Sequence, residues 1–181
     1  SPAATLWAVY ELGYHFGMRS LLHADFPPTD RPAFSLAGIS RVSEPNLDIR
    51  AWRVLAPSPA GPESWSLTDH QQRLRQLAKL KFNRIVLSLE TWQPFVHFEH
   101  RGIAKQTGVL WHGNSFPVDG ETAGRAAFGR DRIFQNPDLR DAKTYAARVL
   151  AGTRLINGII KSAHDLGMTV AIEIAPREFP K

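Results

Sequence analysis

The sequence predicts an α/β fold, and three observations carry that prediction. Two apolar runs, Arg84-Ile85-Val86-Leu87-Ser88-Leu89 and Met168-Thr169-Val170-Ala171-Ile172-Glu173-Ile174, read as strands. Between them lies a stretch of helical period that places Tyr145, Val149, Ile156, Ile159, Ile160 and Ala163 on one side. A second helical stretch precedes the first run and opens on Ser66-Leu67-Thr68-Asp69, a hydroxyl followed three residues later by an acid, which is the signature of a capping box. Strand, helix, strand in that order is a βαβ unit with a right-handed crossover. The first run is apolar at nearly every position, so it is expected to be covered on both faces, as in a parallel sheet.

The remaining elements follow in chain order. Residues 2–17 carry Leu6, Val9, Tyr10, Gly13 and Phe16 at helical spacing, and Gly17 closes the helix. Residues 20–26 read as a short strand before Pro27-Pro28, and a further strand is expected from Phe34 to Val42 within a Pro/Ser/Gly-rich stretch. Leu47 to Leu55 alternates well enough to be a strand. The prolines between Ala56 and Ser64 mark a boundary or loop. The helix that starts after Ser66 presents Leu74, Leu77, Ala78 and Lys81 on one face and stops at Phe82-Asn83. Residues 90–135 show no period and are too many for a simple connection, so they read as an insertion. Asn136-Pro137 supplies an N-cap and a first-turn proline, which predicts a helix over about 137–166, and Gly167 suits its left-handed C-terminal cap.

Composition narrows the class of function. The apolar and charged fractions, 43% and 22%, are those of a globular chain and exclude a disordered one. No run of eighteen apolar residues exists, so no membrane partner is expected. Without cysteine there is neither a disulfide framework nor a thiolate zinc site. The net charge of +5 is spread singly along the chain, which argues against nucleic acid and leaves a solvated surface or an acidic sugar as its reading. The opening Ser1-Pro2-Ala3-Ala4-Thr5 shows no signal peptide, and the compartment stays unassigned.

Several segments carry a resemblance. Ala8-Val9-Tyr10-Glu11-Leu12-Gly13-Tyr14, then Gly17-Met18-Arg19 and His23-Ala24-Asp25-Phe26-Pro27-Pro28, resemble the end of the small α/β domain of α-glucuronidases and the related β-N-acetylhexosaminidases. Pro45-Asn46-Leu47-Asp48-Ile49-Arg50 looks like the segment in which an arginine enters their barrel, although Ala51-Trp52 stands where those families usually have a glycine after that arginine. The segment from Gln76 to Asn83 is similar to the helix before barrel strand one, and Gly167 to Ile174 to barrel strand two. The resemblance implies residues 1–44 as the end of a small N-terminal domain. It implies 45–181 as the start of a (β/α)₈ TIM barrel, incomplete here, with the insertion at about 90–135. It also implies that the chain is a piece of a glycoside hydrolase acting on poly- or oligosaccharides, including those with uronic acid or N-acetylhexosamine, whose acid and base come from later strands. The alternative is a non-catalytic module binding carbohydrate or nucleic acid, for which the net charge and five tryptophans speak.

In such a barrel the ligand lies at the C-terminal ends of the strands. That rule selects Glu90 and Trp92 after the first strand, and Glu173, Arg177 and Glu178 at the second, as substrate-binding candidates, with Arg50 as a two-pronged partner for a uronate. Glu90 and Glu173 could face one another as the two carboxyls of glycoside hydrolysis. The competing reading pairs them with Arg50 or Arg177 as structural anions. Trp92, Phe95 and Trp111 are candidate sugar platforms, against ordinary packing. His97, His100 and His112 lack metal-ligand spacing, and the glycines from Gly120 to Gly129 lack the lysine and hydroxyl of a phosphate loop. No metal and no cofactor is expected.

Overall fold

A computed structural model describes residues 2–30, 32–56, 58, 61–111, 116–117, 133–134 and 136–175. Its centre is a three-stranded parallel sheet in the order β3-β4-β9. The strands are β3 (Ala51–Leu55), β4 (Arg84–Glu90) and β9 (Thr169–Ala175). Helix α2 (Leu67–Lys79) connects the first pair, and α3 (Tyr145–Asp165) lies between the second and third strands. Two consecutive βαβ units are therefore present, one more than the two apolar runs disclose, because β3 joins the sheet as the parallel neighbour of β4.

Both helices pack on one face. Leu74, Leu77 and Ala78 of α2, and Leu155, Ile156, Ile159 and Ala163 of α3, share a single core with Ile85, Leu87 and Leu89 of β4. Burial along β4 alternates, with Arg84, Val86, Ser88 and Glu90 only half-buried. Among the described residues the expectation of cover on both faces is thus corrected: α2 and α3 lie on one face of the sheet and no described helix lies on the other. The apolar run misleads because Val86 is the only large apolar residue that β4 places on that side, and its other even positions are polar.

Local chemistry explains the helix ends. Ser66 and Asp69 make both halves of the capping box: the Ser66 hydroxyl accepts from Asp69 N–H at 3.3 Å and the Asp69 carboxylate accepts from Ser66 N–H at 2.9 Å. Helix α1 (Pro2–His15) ends on Gly17 and α3 on Gly167, both left-handed (φ +87° and +74°), each with the paired backbone bonds of a Schellman turn. Helix α2 ends the same way, with Lys81 N–H on the Ala78 carbonyl and Phe82 N–H on the Leu77 carbonyl, but the left-handed residue is Lys81 (φ +64°). A side chain in that conformation costs about 1 kcal/mol that glycine avoids.

Four sequence expectations are revised. The strand over 20–26 is instead a tight hairpin of two short pieces, β1 (Arg19–Ser20) and β2 (Asp25–Phe26), closed by the Ser20 hydroxyl on Asp25 at 2.8 Å. Residues 34–42 form no strand; no described strand pairs with them, Val42 faces solvent, and the exposed Phe34 ring stacks on Phe16 at 4.9 Å. The strand expected from Leu47 starts at Ala51, because Arg50 N–H is taken by the Asn83 side chain at 2.8 Å. Helix α3 starts eight residues later than Pro137, capped by Thr144. Asn136 does another job: its Oδ1 accepts from Asp138 N–H at 2.9 Å, and its amide donates to the Pro62 and Trp65 carbonyls at 2.8 and 2.9 Å. Within 90–135, the described residues hold a hairpin of β5 (Glu99–His100) and β6 (Ile103–Ala104) and a pair formed by β7 (Phe116–Pro117) and β8 (Ile133–Phe134).

Candidate functional site

The register defines the helix-free face. Residues paired across parallel strands point the same way, so Arg53, Val86 and Ala171 form one row. Leu55, Ser88 and Glu173 form the next, and Glu90 with Ala175 the last, at the C-terminal edge. Three side chains, one per strand, join across these rows. Arg53 donates from Nε to the Ser88 hydroxyl at 2.9 Å and pairs with Glu173 at 2.7 Å. The Ser88 hydroxyl donates to the same Glu173 oxygen, Oε2, at 2.6 Å. Glu173 is thereby oriented through one oxygen, and among the described residues no side chain is bonded to its Oε1.

Glu90 stands one pleat beyond, on the adjacent strand. Strand rise and spacing put its Cα roughly 8 Å from that of Glu173. Its Oε2 is buried without a hydrogen-bond partner among the described residues, as is the hydroxyl of the next residue, Thr91. Unmet buried acceptors are uncommon in folded chains and mark a place where a donor belongs. The backbone here is pinned from below. Gln93 is fully buried; its Oε1 accepts from Glu90 N–H at 2.9 Å and its amide donates to the buried Glu63 at 2.6 Å. Lys105, also buried, donates to the Gln93 carbonyl and to the Val96 carbonyl at 2.8 Å. Burial pushes its ammonium down from the usual lysine range to about 8. The arrangement can present two carboxylates from neighbouring strands, one oriented by an arginine and one with an unmet oxygen, above a rigid polar base.

The predicted site residues separate into groups. Glu90 and Glu173 share the helix-free face, and Trp92 follows Glu90, half-buried, its carbonyl accepting from Val109 N–H at 2.9 Å. Arg50 lies at the other end of the sheet. Its Nε donates to the Lys81 carbonyl at 2.6 Å, Nη1 donates to the Leu47 carbonyl, and its guanidinium rests 4.9 Å from the Trp7 ring centre. The structure does not bring it to the carboxylates; Arg53, three residues on, reaches Glu173 instead. Arg177 and Glu178 lie outside the described residues, as do His112 and the glycines from Gly120 to Gly129. Phe95 is a core residue, packed under Gly152 of α3, and this corrects its reading as a platform. Trp111 is 67% exposed. His97 bonds the Tyr145 hydroxyl at 2.9 Å and His100 is exposed; the described residues contain no cluster fit to hold a metal.

Sequence reasoning missed Arg53, Ser88, Gln93 and Lys105. The alternation of β4 held a signal for Ser88, since it shares parity with Glu90. Arg53 is indicated only by the pairing of β3 with β4, and Lys105 by nothing local. No helix among the described residues is long and apolar enough to cross a membrane. Comparisons with protein-family models, with curated proteins and with solved structures found no match to this chain.

Proposed function

We propose that the chain is part of a glycoside hydrolase, with β3, β4 and β9 as consecutive strands of a (β/α)₈ barrel and their C-terminal ends as part of its sugar-binding mouth. The observation that carries this reading is the helix-free sheet face with Arg53, Ser88 and Glu173 linked across three parallel strands and Glu90 at their C-terminal edge. An inner barrel wall has helices only outside it and ligand groups at that edge. Ile172 and Ile174, on the helix-bearing face of β9 and both about half exposed, are where a next helix of such a barrel would pack. Glu90, Trp92 and Glu173 then contact the sugar: the carboxylates accept from its hydroxyls and the indole covers its C–H face. Arg53 and Ser88 hold Glu173 in place.

The test is aryl-glycoside and oligosaccharide hydrolysis by the protein that contains this chain, against E90Q, E173Q and W92A variants. Loss of kcat/KM by tenfold or more in each, with the fold retained, is expected. The isolated 181-residue chain is expected to be inert, since the acid and base come from other strands in this reading. Turnover by the isolated chain would make Glu90 and Glu173 the reacting pair. A folded parent protein that neither binds nor cleaves any glycoside would end the proposal.

A further inference from the structure

A second concave site lies away from the sheet mouth. Between α1 and residues 37–45 lies a half-open groove of about 1000 Å³, large enough for a small organic ligand. Trp7 and Tyr14 supply aromatic walls, and Arg19, Arg41, Lys81 and Glu11 supply the formal charge. Three cations against one carboxylate leave the lining at +2, with His15 counted neutral. The Glu11 carboxylate sits between two of those cations, paired with Lys81 and 3.5 Å from Arg41. The Lys81 hydrogen bond and the two positive charges hold it below the usual carboxylate range, although burial opposes them.

Lys81 is an independent pointer. Among the described residues three helices end in the same left-handed turn; two use glycine, and the third uses Lys81, whose side chain lines this groove. A strained backbone conformation occupied by a long charged residue is a cost to folding that a glycine would remove. What the lysine supplies in return is its ammonium group, placed at Glu11.

We propose that this groove binds an organic anion bearing a flat apolar group, with Arg41 and Lys81 pairing its charge, Trp7 and Tyr14 flanking its ring, and Glu11 serving as the built-in counterion it displaces. The site does not depend on the sugar-binding reading, because it is built from α1, the 37–45 segment and the end of α2. Displacement of Glu11 sets the affinity: the ligand must compete with a carboxylate already in place, so removing that charge strengthens binding.

The experiment is isothermal titration of the 181-residue chain with 2-naphthoate, and with 2-naphthalenemethanol as its uncharged counterpart. One naphthoate per chain is expected, with the alcohol weaker by roughly tenfold or more, as for loss of a charge-assisted contact. Replacing the exposed Arg41 (R41Q) weakens naphthoate by a similar factor without touching the fold. K81G weakens it too while retaining the cooperative melt, and E11Q tightens it. No naphthoate binding by the folded chain, equal affinity for acid and alcohol, or unchanged affinity in both R41Q and K81G would each overturn the proposal.

Discussion

Acidification should destabilise this chain through His70, by an amount set by one buried ring. His70 lies in the first turn of α2, 4% exposed, with its ring edge against Trp65 at 5.8 Å between centres. Its Nε2 has no hydrogen-bond partner among the described residues. Burial lowers its pKa from 6.5 to about 4; Asp69 acts against that and Arg73 adds to it. The unfolded chain takes up this proton near pH 6.5 and the folded chain resists it until about 4, so unfolding binds protons in that interval. Stability from this residue is intact above pH 6.5 and falls as the pH drops towards 4. A difference of 2.5 pH units at 1.36 kcal/mol each gives a loss of about 3 kcal/mol. Urea unfolding of the wild type and of H70L between pH 7.5 and 4 isolates the effect, because carboxylate contributions are common to both chains. At pH 7 the leucine variant should be as stable as the wild type or more so, since it removes an unsatisfied buried nitrogen. Towards pH 4 the stability difference should shift in favour of H70L by about 3 kcal/mol. Parallel pH profiles would refute the reasoning and show that His70 is solvated or bonded in the folded chain.

Further substitutions probe other parts of the fold. S66A removes the hydroxyl half of the capping box of α2 and should cost about 1 kcal/mol in a urea melt. N136A removes the two hydrogen bonds to the buried Pro62 and Trp65 carbonyls and should cost about 2–3 kcal/mol by the same measurement. G152A places a Cβ 2.6 Å from the Pro94 carbonyl oxygen, so a loss of about 1–3 kcal/mol is expected, although alanine is the better helix former. R53M breaks an ion pair whose side chains are 61% and 51% exposed, and should change stability by less than about 1 kcal/mol. In the glycoside hydrolase proposed above, the same change is expected to lower kcat/KM by freeing Glu173 to reorient.

Residue order alone determined the features whose partners lie within one turn of the backbone. The capping box of α2 and the glycines that end α1 and α3 depend on contacts within about five residues, and they were legible for that reason; the strand expected over 34–42 was not formed, because a strand also needs a distant partner. Asn136-Pro137 marks the limit of such reading. An asparagine before a proline starts a helix or makes a turn with the same side-chain acceptor, and the choice here rests on Pro62 and Trp65, more than seventy residues away. The same holds for the candidate site. That Glu90 and Glu173 are acidic and stand near strand ends is written in the sequence. That Glu173 lies beside Ser88 and Arg53 on the face away from α2 and α3 was decided by strand register. Register is set by pairing and packing between segments distant in the chain, and a shift of one residue would send every one of these side chains to the opposite face.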